Sequence, residues 1–500
     1  MSFATTLAEL VAKRNVQLSY IAILKPYDVS GATELTLYYS DSGFVTEPGD
    51  TPANQYFDPR LVEPITFSRT MFSSGRVGGF SRPGYGNLIL SNGDGELDDF
   101  AGYAWDSRSV EVRVGEFGAG LSNFFTIFKG ESKTIEFDDE TVEVVLRDNQ
   151  EDFEIEFPPN VYTDVSLSDN ILGNPIPLCF GEVRNIEPVL IDSTNRVYQV
   201  NDGEINAVSA VYEGGVALTL TTDYTVDLTN GKITLVADPT EVITADIQGY
   251  VDSGSTYLTS VADIAREIVT TYGGLADPGD LDTASLTALN TANNSTVGIY
   301  VDKSTTILKV LDELANSVGA FYGFNRSGKF EMARLELATG TADAEFDLTN
   351  IIEVQRQSSA TPNHRVRVGY DKNYRVMSES DFGASVTTAQ RDYLVREMLF
   401  ESDNTASIRT IYPNSEELVV PALFSASSAA STEATRLLAL YGSQRDFYTI
   451  RVKTQPYTLK LNDVVQIAFD RYNLTSGKKF RVITITEDAA SNEVELELWG

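Results

Sequence analysis

Short runs of alternating apolar and polar residues dominate the chain, and they are densest between Gly86 and Asp148. Leu88-Ile89-Leu90, Val110-Glu111-Val112-Arg113-Val114-Gly115, 124–131 and 142–148 each carry the period of a strand, and the gaps between them are rich in Gly, Asn and Asp. A period of two sends every second side chain to the same face, so the stretch predicts an antiparallel meander with one buried face. The same alternation predicts strands at 20–24, 35–39 and 64–69, after a short helix over 2–12 with Leu7, Leu10 and Val11 on one side. Residues 40–61 form a long stretch rich in Gly, Pro and Asp. Loops of that length are uncommon without a role, so it either contacts a neighbouring subunit or ring or is simply exposed. Gly75, Gly78, Gly79, Pro83, Gly84 and Gly86 punctuate the chain further on, and 154–159 closes the first unit.

A second all-β stretch follows, with strands at 197–200, 207–212, 216–220, 224–228, 233–235 and 242–249. Asn230-Gly231 between two of them is a strong hairpin signal. The period then changes. Val261, Ile264, Ala265, Ile268, Val269 and Tyr272 recur at helical spacing, with Ser260 as cap; Ile307, Leu308, Leu311, Leu314 and Val318 do the same, with Ser304 or Thr305 as cap. Residues 273–295 between them read as a small-residue connection carrying Leu281, Leu286 and Leu289, and a hairpin begins at Phe321. Strands return at 351–354, 365–370 and 408–412, a third helix is expected over 425–441, and the chain ends in strands. The expected fold is mainly β, in several antiparallel barrel or sandwich modules, with a small α+β domain. Its expected segments are 1–157, 158–252, 253–345 and 346–500.

Five hundred residues fit about three or four domains. Lys plus Arg number 38 against 72 Asp plus Glu, for a formal charge of −34. That balance argues against wrapping nucleic acid, which needs a basic footprint, and it equally serves plain solubility. The single cysteine, Cys179, excludes an intrachain disulfide and sits between Leu178 and Phe180 as a core thiol would. The single histidine, His364, removes most histidine-based metal sites and general-base schemes. No stretch reaches eighteen apolar residues, so no membrane span is expected, and the N-terminus lacks a secretory pattern. The chain reads as made in the cytoplasm.

Four features invite chemistry. Gly323-Phe324-Asn325-Arg326-Ser327-Gly328-Lys329 spells the spacing of a phosphate-binding loop, but Phe330 stands where Ser or Thr would be needed and a strand follows instead of a helix, so a hairpin turn is expected. Asn92, Asp94, Glu96, Asp98 and Asp99 gather oxygens around glycines, as a calcium loop or an Asx-stabilised turn would; the turn is the simpler reading, because Tyr103 stands where an EF-hand needs its bidentate Glu. His364 begins a strand and has no nucleophile motif near it, and acid pairs are too common here to mark a glycosidase. No catalytic, cofactor-binding or metal residue is therefore assigned, and no cofactor. Tyr38, Tyr39, Tyr56, Tyr85, Tyr103 and Tyr162 lie in or near loops, where interface use and ordinary half-burial are both open.

The spacing of residues also resembles a family. L-x-L-x-N-x-D-G-x-L-D from Leu88, V-x-V-R-V-G from Val110, F-x-G-E from Phe128 and the strand ending Leu146-Arg147-Asp148 look like the first domain of the tail-hub, or upper baseplate, proteins of long-tailed bacteriophages. Leu459 to Val465 followed by Gly477-Lys478-Lys479-Phe480-Arg481-Val482 resembles the closing barrel of that family, and 162–250 resembles its inserted β-domain. Asn462 replaces the family's usual Gly, so the turn there still calls for a residue that tolerates the left-handed region. The resemblance implies a non-enzymatic structural protein of the virion tail tip. It would be a homotrimeric ring with two tube-like barrels per chain, continuing the tail tube and meeting distal tail or tube proteins above and tip or fibre proteins below. DNA would only pass through it, during ejection. The alternatives are a hexameric distal tail ring protein, a receptor- or carbohydrate-binding tail protein, and an enzyme such as a peptidoglycan hydrolase.

Overall fold

The computed structural model describes residues 3–13, 15–72, 81–165, 167, 170–357, 359–453 and 456–500; the glycines at 75, 78 and 79 lie outside the described residues. The fold is mainly β, as the alternation predicts, at 40% strand and 17% helix. Its backbone is a thirteen-stranded sheet. In spatial order the path runs Ile351–Gln357, Phe447–Val452, Glu493–Trp499, Lys478–Asp488, Leu61–Thr70, Tyr85–Ser91, Thr141–Arg147, Phe125–Phe137, Arg108–Glu116, Leu18–Leu24, Leu37–Ser40; Val464–Ile467 and Ala344–Phe346 extend it from Lys478–Asp488. One sheet thus holds strands from both ends of the chain.

Each half of the sheet wraps its own core. In the N-terminal half, Leu88, Leu90, Val110, Val112, Val114, Val142, Val144 and Leu146 face inward with Tyr20, Ala22 and Leu24. Register explains the fit, because Leu88 lies opposite Val144 and Leu90 opposite Val142. Ile21, one residue out of phase, points to the other face and is buried there by Phe57, Leu121 and Phe124. Phe57 comes from the long 40–61 stretch, which folds into a small hairpin of Phe44–Val45 and Tyr56–Phe57. Part of that stretch therefore covers an apolar patch on its own sheet, while Val45 and Tyr56 stay exposed. The C-terminal half encloses Tyr448, Ile450, Val465, Phe480, Val482, Leu496 and Leu498.

An inserted β-unit is built on Leu178–Ile186, whose first half pairs with Gly298–Val301 and whose second half pairs with Ile243–Tyr250. Its core contains the fully buried Cys179, beside Val183, Ile247 and Tyr300. The largest core joins four helices to strands from distant parts of the chain. Ile264, Leu311 and Leu314 share it with Val366, Val368, Ala422, Phe424 and Leu437.

The helices follow their periodicity. Val261–Glu267 runs on through a wider-wound turn, Ile268–Tyr272, and Ser260 accepts from the Asp263 N–H as its cap. Ile307–Ser317 is capped by Thr306, one residue later than expected. Some expectations fail. Tyr85–Ser91 pairs with Thr141–Arg147 and not with Arg108–Glu116, so the stretch from Gly86 is not a simple meander. The connection at 273–295 contains a helix, Thr283–Ala292, capped by Asp282 and burying Leu286 and Leu289 one turn apart. Its Thr, Ser and Ala content masks that face in the sequence. The strand expected at 408–412 is instead a short helix, Ile408–Ile411. Only Ile408 is buried there and Ile411 is 71% exposed.

Asn462 adopts φ 72°. Its Nδ2 donates to the Arg334 carbonyl at 3.0 Å, fixing the turn against the central unit. Asn462→Ala should lower stability by about 1–3 kcal/mol, combining left-handed strain with a lost hydrogen bond. Asn462→Gly, which removes only the hydrogen bond, should cost about 1 kcal/mol. Urea titration of both variants checks the order; equal losses would mean that the backbone conformation contributes nothing.

Candidate functional site

The two halves of the sheet are fused along one strand pair. Leu61–Thr70 lies antiparallel to Lys478–Asp488, with Thr70 opposite Thr484, Ser68 opposite Thr486 and Phe67 opposite Glu487. Hydroxyls pair across the ladder, Ser68 with Thr486 and Thr70 with Thr484, each at 2.9 Å. The ladder is extended at both ends, Met71 N–H donating to Ile483 and Ala489 N–H to Ile65. On the N-terminal side Tyr20 and Tyr457 share a hydroxyl contact of 3.0 Å inside the core, and burial pushes the Tyr20 phenol up to about 12.

A buried ion cluster closes the seam. The Glu487 side chain is 4% exposed and meets two guanidiniums, Arg69 Nη1 at 3.2 Å and Arg326 Nη2 at 2.7 Å. Arg69 also stacks over the Phe67 ring, 4.7 Å from its centroid. Arg326 donates its remaining Nη1 to the Leu459 carbonyl. Desolvating three charges is tolerable only because each is paired, and such a cluster enforces one geometry more than it adds net stability.

Arg326 comes from the look-alike phosphate loop. The structure makes that motif the turn of a hairpin between Ala320–Phe324 and Phe330–Arg334, with Phe324 opposite Phe330. Asn325 Oδ1 accepts from the Ser327 and Lys329 N–H groups, and Gly328, at φ +68°, lies against the Lys129 carbonyl of the N-terminal half. The hairpin tip therefore touches both halves of the sheet where they join. The hairpin turn expected from the sequence is present, but the sequence does not single out Arg326. A basic residue at a hairpin tip normally reads as solvent-exposed, and nothing local announces its partner.

The other singled-out residues take quieter places. Asn92 Oδ1 accepts from Leu97 N–H and its Nδ2 donates to Asp98 across the loop, while Asp94 Oδ1 accepts from Glu96 N–H, which is the Asx turn. Asp94 is gripped by both nitrogens of the Arg60 fork at 2.8 and 2.7 Å, and that guanidinium holds its carboxyl down to about 2. Arg60 reaches Glu96 and Asp58 as well, so a cation of the protein's own occupies the acid loop. Among the described residues no group of three or more His, Cys, Asp or Glu is placed to hold a metal. His364 Nδ1 lies 3.0 Å from the Glu416 carbonyl and 3.5 Å from the Ser415 hydroxyl, which donates to the Pro362 carbonyl. Tyr39 and Tyr162 are buried, whereas Tyr56 and Tyr85 stay exposed.

Two buried acids flank the seam. Burial pushes Glu331 up to about 7 and Asp148 up to about 6, although Asp148 accepts from the Gly84 and Gln150 N–H groups. A raised carboxyl holds in the folded state a proton that the unfolded chain releases. Its contribution is therefore full below about pH 4.5 and is lost as pH rises through about 7. Glu331→Gln should raise the melting temperature at about pH 8 and flatten its fall between about pH 5 and 8; an unchanged profile would show that Glu331 is ionised without cost. Glu487→Ala should cost about 3–5 kcal/mol by stranding two arginines. Trp105 and Trp499 sit in different cores, so urea unfolding can be followed on both sides of the seam. A loss under about 1 kcal/mol would contradict a buried, ion-paired cluster.

No family model and no curated protein matches the chain. Solved structures with a distant likeness include a tail protein from Neisseria meningitidis MC58, at 10% identity and a TM-score of 0.46, over 96% of each chain. The 43 kDa tail protein of prophage MuSo2 from Shewanella oneidensis is similar at 10% identity and a TM-score of 0.41, over 96% of this chain and 97% of that one. Prophage tail protein gp18 from Listeria monocytogenes EGD-e is similar at 8% identity and a TM-score of 0.42, over 96% of this chain and 94% of that one.

Proposed function

We propose that the chain is a non-enzymatic structural protein of a phage tail tip. In this reading it forms a homotrimeric hub ring that continues the tail tube, joins distal tail or tube proteins to the tip or fibres, and lets DNA pass during ejection. One observation carries the reading. The two stretches that resemble the hub family lie more than 300 residues apart in sequence, yet Tyr85–Ser91, Arg108–Glu116, Val464–Ile467 and Lys478–Asp488 belong to one continuous sheet. A chain that brings two tube-like units side by side through the Leu61–Thr70 seam supplies two neighbouring segments of a ring wall. Closure of such a ring would also cover exposed strand edges such as Ile351–Gln357. The charge of −34 suits a wall past which DNA slides without sticking.

Sedimentation and light scattering over a concentration series test the ring. A closed trimer, about three times 54.8 kDa, is expected. A hexamer would replace the hub with the distal ring, and a chain that stays monomeric throughout would remove the self-assembling ring from the proposal.

A further inference from the structure

The strands Arg365–Tyr370 and Leu399–Asn404 are antiparallel neighbours, with Tyr370 opposite Leu399, yet the connection between them, 371–398, leaves its own sheet after Asp371. It lands on the inserted β-unit. Asn373 bridges Arg184, Tyr374 N–H donates to the Arg184 carbonyl, and Arg375 N–H donates to the Asn185 carbonyl at 2.9 Å. Further along, Gly383 N–H donates to the Gly214 carbonyl at 2.8 Å. The return limb is a short helix, Thr388–Leu394, closed by a Thr387–Gln390 capping box.

Two features define the contact. The first is a buried amide pair. Asn185 and Asn373 are each 2% exposed, and Asn185 Nδ2 donates to Asn373 Oδ1 and to the Arg375 carbonyl, both at 2.7 Å. Asn373 Nδ2 in turn donates to the Leu394 and Arg396 carbonyls, tying the outgoing limb to the return limb. The second is a fit around glycine. Gly214 and Gly215 have φ +54° and +80°, and a Cβ on Gly215 would stand 3.0 Å from Leu394 Cδ1, with Val386 beyond it. The surrounding charges are Arg184 with Asp371 at 3.5 Å and Arg375 with Glu187 at 3.3 Å.

The connection has little core of its own. Met377, Val386 and Leu394 are buried, but they belong to none of the five hydrophobic cores, and only Tyr374 packs against that of the inserted unit. A segment held by a few apolar contacts and a polar lock opens more often than the units that it joins. We propose that 371–398 is a detachable clamp that locks the inserted β-unit to the central core and opens alone, with both units still folded. Opening frees the Arg184 and Asn185 carbonyls and uncovers the Gly214-Gly215 turn. The inserted unit is then tethered by the shared strand Leu178–Ile186 and its neighbours, without a brace on its far side. The inference rests on these contacts and not on the tail-tip reading.

Native-state hydrogen exchange of the full chain, read by mass spectrometry at low denaturant, tests it. Amides of 371–398 should exchange through an opening at least about tenfold more frequent than that of Ile243–Tyr250 or Ile307–Ser317. Leu394→Ala should speed exchange in 371–398 by at least about a further tenfold and leave the other two segments unchanged. Gly215→Ala, which pushes on the same leucine from the other side, should do likewise. Exchange of 371–398 in step with Ile243–Tyr250 in the parent chain would overturn the clamp, and so would an equal acceleration of all three segments in both variants.

Discussion

Everything in this molecule depends on one strand pair. Leu61–Thr70 must find Lys478–Asp488, because it is otherwise the edge of its half-sheet, and the 484–488 end of its partner is open beyond the pairing with Val464–Ile467. An unpaired edge next to two apolar cores would be an aggregation site. Pairing turns two edges into an interior ladder, and the hydroxyl pairs across it keep the register from slipping. The Glu487 cluster then forbids alternatives, since a shift of one residue would bury an acid against the wrong neighbour. The central core inherits its position from this arrangement, because the hairpin carrying Arg326 is pinned at the same point.

Much of the fold was legible because much of it is local. Strict alternation located the strands around Val112 and Val144, and helical spacing located Ile307–Ser317. The left-handed turn at Asn462 could be foreseen from the chemistry of a single residue. The site was another matter. Glu487 is one of 72 acids and among the few that are buried, which no local pattern encodes. Arg326 looked like turn decoration. Partnership between residues hundreds of positions apart follows from packing, and the helix Thr283–Ala292 was hidden for a related reason: its buried face is only two leucines wide.

The acidity also has a structural side that composition alone conceals. Many exposed aspartates turn back onto the chain. Asp28 accepts from Ser30 and Gly31, Asp138 from Glu140 and Thr141, Asp252 from Gly254 and Thr256, and Asp488 from Ala490 and Ser491, all through backbone N–H groups. A fold with this many tight connections needs this many short side-chain acceptors. Part of the charge of −34 is thus a by-product of making turns, and it falls on the surface because turns do.

The separation of Arg69 from Glu487, 418 residues, has a consequence in time. At ~5–20 residues per second on the ribosome, the first strand of the seam waits roughly 20–80 s for its partner. Throughout that interval the N-terminal half has one open flank, and a chain broken off before Lys478 never covers it. The seam therefore closes only once Lys478–Asp488 has been made, and until then the free flank of Leu61–Thr70 must be kept from pairing with anything else.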